Sequence, residues 1–297
     1  MTDALSMDLS MDPAVMEAEA RAATDAASAG ALITGGYLSS SIGCSELAPM
    51  MVAFDLRDGM PDHIQRWIGE ARTRALHGAR RPAPRVSVAT WCAERAYQCR
   101  TPLGPMPTCL AEKAGLTRKP PRKPHMQAGE LLEPALWRTW KASLGARSAV
   151  VVDTLRSQFD VLGLYPAEWG VRPPRVARDD EPALVDYPDG WGETILGERL
   201  VVNCKTSREW KEDPDPPAWI QMQAEAWVTR SDFALLVLGQ KWLADYMREP
   251  VEQRPVRVWQ IEPDESVQSA LVEVARESIR LVEDVRKRWY ELKGASR

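Results

Sequence analysis

Six short runs of strand-forming residues crowd the second half of the chain: Ala149 to Val152, Val161 to Tyr165, Ala183 to Tyr187, Arg199 to Cys204, Phe233 to Leu238 and Val256 to Ile261. Helical patterns flank them, so a sheet built from these runs must carry helices on its faces, giving a mixed α/β sandwich. Pro217 to Val228 reads as one such helix, with Gln221 and Glu225 four residues apart on one face. Asp264 to Leu292 reads as a second. Its apolar residues at 267, 271, 274, 281, 285, 289 and 292 form a stripe that needs a sheet or a neighbouring subunit to cover it.

The first half is less regular. At 297 residues the chain can bury a large core without being forced to split, and we divide it into an N-terminal tail and helix over 1–30 and a single domain over 31–297. Alanines with Glu17, Glu19 and Arg21 favour helix from Asp12 to Ala27, ended by Gly30 and the Gly35-Gly36 pair. The serines of Tyr37 to Pro49 either cap the next helix or leave its N–H groups to a phosphate. Arg57, Arg66, Arg72, Arg74, Arg80, Arg81 and Arg85, with Trp67 among them, fit a phosphate-tracking surface and a solvated helix face equally. A helix is expected from about Ser87 to Gln98.

Thr101 to His125 is proline-rich and carries Lys113, Arg118, Lys119, Arg122 and Lys123; so many prolines predict a long basic loop over about 101–125. Gln127 to Leu144 reads as helix, because Leu132, Leu136, Trp140 and Leu144 recur every fourth residue. Glu133 borders that stripe, as a rim residue or as part of a site.

Bulk charge narrows the partners. A formal net charge of -4 gives no general attraction to nucleic acid, so any such contact must come from local basic patches. The five cysteines, Cys44, Cys92, Cys99, Cys109 and Cys204, are an odd number without a secretion signal ahead of them, which predicts reduced thiols and a cytoplasmic setting. Cys92, Cys99 and Cys109 lack the two-residue gaps that usually gather thiolates on a cluster. No apolar run approaches the roughly 20 residues of a membrane helix.

The chemistry concentrates in Val185-Asp-Tyr-Pro-Asp-Gly-Trp191 and Leu200-Val-Val-Asn-Cys-Lys-Thr206. A carboxylate on a Pro-Asp-Gly turn precedes a strand that sends position 203 and, two residues on, Lys205 to one face. Carboxylates with a lysine suit phosphodiester hydrolysis: magnesium takes oxygen ligands and keeps several waters, and a lysine stabilises charge on the phosphate. The Asp-x(13)-Asn-x-Lys spacing alone is a weak signal.

The order Gly129-x-x-x-Glu133-Pro134, Pro188-Asp189-Gly190, Asn203-x-Lys205-Thr-Ser and Ile220-Gln-Met-Gln-Ala-Glu-Ala-Trp-Val-Thr-Arg230 resembles the phage lambda exonuclease and YqaJ-type viral recombinases of the PD-(D/E)xK nuclease superfamily. The resemblance spans roughly residues 37 to 290 and is strongest from Gly129 to Arg230. It implies a restriction-endonuclease-like core, a mixed central β-sheet flanked by helices, with a long C-terminal helix. It further implies a Mg²⁺- or Mn²⁺-dependent exonuclease that hydrolyses one strand of linear duplex DNA, 5′ to 3′, to 5′-mononucleotides. The remaining strand would pass to a single-strand annealing recombinase, inside a bacterial host cell and encoded by a phage or prophage. Relatives are ring-shaped trimers.

By the same resemblance Glu133, Asp189, Asn203, Lys205 and Gln221 are the catalytic set. Metal would lie on Glu133, Asp189, Asn203 and the backbone carbonyl of Cys204. Ser45 would meet a terminal DNA phosphate, with Arg118, Lys119, Arg122 and Lys123 along the DNA; the arginine that precedes the serine in the lambda relatives is missing from Tyr37-Leu-Ser-Ser.

Asn203 departs from the family pattern, which has Asp or Glu there; the amide keeps an oxygen but removes a charge from a divalent-cation site. Three explanations stand: a deliberate Asp→Asn inactivation, a natural loss of catalysis with DNA binding kept, or a carboxylate supplied from elsewhere, with Glu225 the candidate. The competing functions are accordingly an active exonuclease, a catalytically inactive DNA-binding module on a nuclease fold, and an endonuclease of the same superfamily.

Overall fold

The computed structural model describes residues 41–77, 88–98, 105–116, 136, 176–193, 197–207, 211–240 and 256–295. The chain divides between Leu38 and Ser39, and every described residue belongs to the Ser39–Arg297 part. The helices are α1 Leu47–Phe54, α2 Asp62–His77, α3 Val88–Gln98, α4 Pro105–Lys113, α5 Pro216–Thr229 and α6 Glu265–Ala295. The strands are β1 Ile42–Gly43, β2 Val176–Arg178, β3 Glu181–Asp186, β4 Gly190–Glu193, β5 Arg199–Ser207, β6 Phe233–Gln240 and β7 Val256–Ile261.

Among the described residues the strands form two mixed sheets rather than the single central sheet expected. One is three-stranded in the order β1-β3-β2, the other four-stranded in the order β4-β5-β6-β7. The break falls at Tyr187-Pro188-Asp189, between the end of β3 and the start of β4. A proline cannot donate to a ladder, so a strand running out of Asp186 is not continued through it. β5 and β6 pair in parallel and are joined through α5, whereas β4 with β5 and β6 with β7 are antiparallel.

Alternation along β5 sorts its side chains. Leu200, Val202 and Cys204 pack with Phe233, Leu235, Val237 and Leu136 on one face, while Val201 packs with Met222, Ala226, Ala234 and Leu236 on the α5 face. Asn203 and Lys205 share the parity of Val201 and are carried toward α5. Of the expected Gln127 to Leu144 helix only Leu136 is described; it is helical and fully buried.

The largest cluster joins α1, α2, α3 and α6, and the stripe foreseen on the last helix is its contribution. Val267, Leu271, Val274 and Val285 are buried there, with Leu281, Trp289 and Leu292 half-buried against them. Gln223 of α5 anchors the start of α6: its Nε2 donates to Glu262 O at 2.8 Å and its Oε1 accepts from Asp264 N at 2.9 Å. Asp264 in turn caps α6 by accepting from Ser266 N and Val267 N.

The N-terminal segment corrects two expectations. No side chain caps α1; Glu46 Oε2 instead accepts from Gly43 N at 2.7 Å, ahead of the 3-10 turn Cys44–Glu46, and pairs with Lys113 Nζ at 2.7 Å. Lys113, counted above with the basic loop, is thus a buried structural cation that also donates to Ser41 O. The second correction is the loop itself, since 105–113 is helical. Pro105 stands at the first helical position and Pro107 in the first turn, where an N–H has no intrahelical partner to lose. Arg72, from the arginine-rich stretch, donates to the terminal carbonyls of Val52 and Ala53 in α1, so its role is to close a helix end.

Candidate active site

β5 runs three residues beyond its expected end at Cys204, so Lys205 is inside the ladder, opposite Leu238 of β6. Its antiparallel partner β4 begins with Gly190 across from Val202. One step further along that register sets Asp189 across from Asn203. The turn is pinned there: Cys204 N donates to Asp189 Oδ2 at 2.8 Å. The Cys204 side chain packs on the opposite, apolar face.

α5 supplies the remaining wall. Asn203 Nδ2 donates to Glu225 Oε1 at 2.9 Å, and Gln221 Nε2, one helical turn before Glu225, donates to the same oxygen. Glu225 is 0% exposed and Asn203 2%. The Gln-x-Gln pair therefore divides its work, with Gln221 turned to Glu225 and Gln223 to the root of α6.

Two groups that the sequence left unmarked complete the cluster. Asp186 ends β3 at 4% exposure. The parallel register of β1 and β3, with Gly43 beside Val185, brings Cys44 next to it, and the buried Cys44 thiol hydrogen-bonds the Asp186 carboxylate. Asp186 sits in the quoted Val185–Trp191 stretch; an Asp inside the strand-forming run Ala183 to Tyr187 was the available signal.

Burial sets the electrostatics. Asp186 is pushed up to about 7, first by desolvation and then by the charge of Asp189, against the Tyr187 amide, the Cys44 thiol and the Lys205 charge. Glu225 is raised well above the usual carboxylate range by burial and by Asp186 and Asp189, with Lys205 and Gln221 opposing. Asp189 is raised by burial, against Lys205 and the Cys204 N–H. Burial also pushes the Cys44 thiol up, reinforced by Asp186 and Glu225. These are three carboxylates in reach of each other and of one lysine.

Three buried oxygens here have no hydrogen-bond partner among the described residues: Asp186 Oδ2, Asn203 Oδ1 and Glu225 Oε2. Carboxylate and amide oxygens of this kind fit a hard cation such as Mg²⁺ or Mn²⁺ by donor chemistry. Among the described residues no three His, Cys, Asp or Glu side chains gather as a metal cluster, so Asn203 or residues outside that set would have to take part.

Of the other expected site residues, Ser45 is exposed on the 3-10 turn Cys44–Glu46, next to Cys44. Glu133, Arg118, Lys119, Arg122 and Lys123 lie outside the described residues. Among the described residues Cys44, Cys92, Cys109 and Cys204 form no disulfide. Among the described residues no helix is long and apolar enough to cross a membrane.

No protein-family model matches the chain, and no curated protein does. Among solved structures, the chain is similar to an alkaline exonuclease from Laribacter hongkongensis, at 15% identity over 70% of this chain and 92% of that one, with a TM-score of 0.44. It is also similar to a phage-related exonuclease from Haemophilus somnus 129PT, at 12% identity over 86% of this chain and 96% of that one, with a TM-score of 0.42. Both are distant backbone likenesses, and nothing about the chemistry of this site follows from them.

Proposed function

We propose that the chain is a metal-dependent deoxyribonuclease that degrades one strand of linear duplex DNA from an end, 5′ to 3′. It releases 5′-mononucleotides and leaves a single strand for an annealing partner. The observation that carries this reading is the Asn203–Glu225 hydrogen bond. It sets a fully buried carboxylate against the amide at the strand position where the lambda-type resemblance calls for an acid. The site thereby keeps an acid beside Asp189 and Lys205, with the charge supplied from α5 instead of β5.

Each residue has a task that follows from its place. Gln221 and Asn203 hold Glu225 in one orientation by donating to a single oxygen, which favours its ionised form. Asp189 is fixed by the Cys204 amide. Lys205 is only half-buried, so it can reach a scissile phosphate oxygen or orient the attacking water while the carboxylates stay behind it. Mg²⁺ or Mn²⁺, when bound, supplies the positive charge that a phosphodiester needs to approach three carboxylates. Glu133 belongs to the same set by resemblance, as does Ser45 at the DNA end. The basic residues Arg118, Lys119, Arg122 and Lys123 and a trimeric ring are proposed on the same footing.

The test is digestion of linear, nicked circular and closed circular duplex with Mn²⁺. Linear DNA is expected to be degraded from its ends, and Lys205→Ala to lose on the order of 10²–10⁴ in rate. Cutting of closed circles would favour an endonuclease. Salt-sensitive binding to DNA ends without cleavage, and without a need for divalent metal, would favour a binding module.

A further inference from the structure

The buried acids near Lys205 outnumber what the sequence resemblance accounts for. Asp186, Asp189 and Glu225 each feel the Lys205 charge, so with all three ionised one cation faces three anions among the described residues. Burying such an excess without a counter-charge is costly. The three unpartnered oxygens come from three separate elements: Asp186 Oδ2 from the end of β3, Asn203 Oδ1 from β5 and Glu225 Oε2 from α5. Each residue also has a polar neighbour of its own. Cys44 bonds the Asp186 carboxylate, and Asn203 Nδ2 and Gln221 Nε2 bond Glu225 Oε1. These contacts hold the side chains in place while Asp186 Oδ2, Asn203 Oδ1 and Glu225 Oε2 have no protein donor among the described residues.

We propose that Asp186 Oδ2, Asn203 Oδ1 and Glu225 Oε2 form an oxygen-ligand set for a divalent cation, with Asp186 a metal-binding carboxylate that neither spacing nor resemblance marks. Two carboxylates and a neutral amide match the charge of one Mg²⁺ or Mn²⁺ ion. The set accounts for the tolerance of an amide at 203, because the carboxylate missing from β5 is replaced by two others, one from β3 and one from α5. Oxygen-only ligands select a hard cation over zinc or copper. The cation is chosen by the nuclease reading; its binding can be measured without DNA.

The experiment is titration of the full chain with Mn²⁺, followed by the electron paramagnetic resonance of the free ion. Asp186→Asn is expected to bind Mn²⁺ at least tenfold more weakly, with an unfolding midpoint in EDTA equal to or above that of the unaltered chain. Unchanged Mn²⁺ affinity in a folded Asp186→Asn chain, or no Mn²⁺ binding by the unaltered chain, overturns the proposal. Should Asp186→Asn fail to fold, Fe²⁺ with ascorbate and peroxide on the unaltered chain replaces it. Backbone scission near 186, 203 and 225, competed by Mg²⁺, is expected; scission confined to other segments overturns the proposal. Mn²⁺ binding that depends on Asp186 without any DNA digestion would sink the nuclease reading and leave this one standing. Digestion with an Asp186-independent metal would do the reverse.

Discussion

Asn203 Nδ2 donates to Glu225 Oε1 across 2.9 Å between β5 and α5, at a point where Glu225 has no solvent exposure. The direction of that bond matters. An aspartate at 203 has no N–H to give and would set a second carboxylate against a buried one. Of the three explanations for Asn203, the one proposed above is a carboxylate supplied from α5.

Asn203→Asp is therefore expected to destabilise the chain and not to raise its activity. Loss of the hydrogen bond costs about 0.5–1.5 kcal/mol, and like-charge repulsion adds to it wherever both carboxyls are ionised. At about 2–4 °C per kcal/mol for a domain of this size, thermal unfolding in EDTA should fall by several degrees. A stabilised and more active variant would show that an acid belongs at 203.

Removing the lysine separates chemistry from folding. Lys205→Met keeps an unbranched apolar stem but withdraws the charge that opposes the raised carboxylates. DNA cleavage should drop by about 10²–10⁴, and stability at pH 8 in EDTA should drop more than at pH 5. Equal loss of stability at both values would mean that the charge is not facing these acids.

Asp186 predicts an inverted pH profile in the absence of divalent metal. Its folded carboxyl is held up at about 7 against an ordinary 3.8, first by burial. Between those values the folded state binds more protons than the unfolded one, so this group's contribution is fullest below about pH 4 and is lost as pH rises to about 7. The whole loss is on the order of 4 kcal/mol. Urea unfolding in EDTA at pH 5 and 8 should show the decline, and Asp186→Asn should make it shallower, leaving the part due to Glu225 and Asp189. A chain that grows more stable from pH 5 to 8 would contradict this.

The two glutamines of α5 should fail differently. Gln223→Ala strands the Glu262 carbonyl and the Asp264 amide that it now satisfies, which should cost about 1–3 kcal/mol with cleavage per folded molecule unchanged. Gln221→Ala removes a donor to Glu225 at a half-buried position. It should reduce cleavage by tenfold or more with a small change in stability. Urea unfolding and a DNA-release assay on both variants decide the contrast.

What the sequence determined was local. Runs of strand-forming residues predicted β3, β5, β6 and β7, and β7 falls on Val256–Ile261 as read. The 3.6-residue stripe predicted α6, because such a pattern depends only on which residues repeat. Asp189, Lys205, Gln221 and Glu225 were legible for the same reason, as neighbours on a strand, a turn or a helix face. Strand β4 was not legible: Gly-Trp-Gly-Glu is a poor strand former, and only pairing with β5 imposes that conformation.

What the tertiary structure alone decided was which of these groups meet. Asp186 and Cys44 lie 142 positions apart and are adjacent because β1 pairs with β3. Asn203 and Glu225 meet because β5 and α5 pack face to face. Their burial, the shared donors and the raised carboxyls are sums over elements distant in sequence. Desolvation depends on everything that surrounds a group, and no single stretch of chain contains that information.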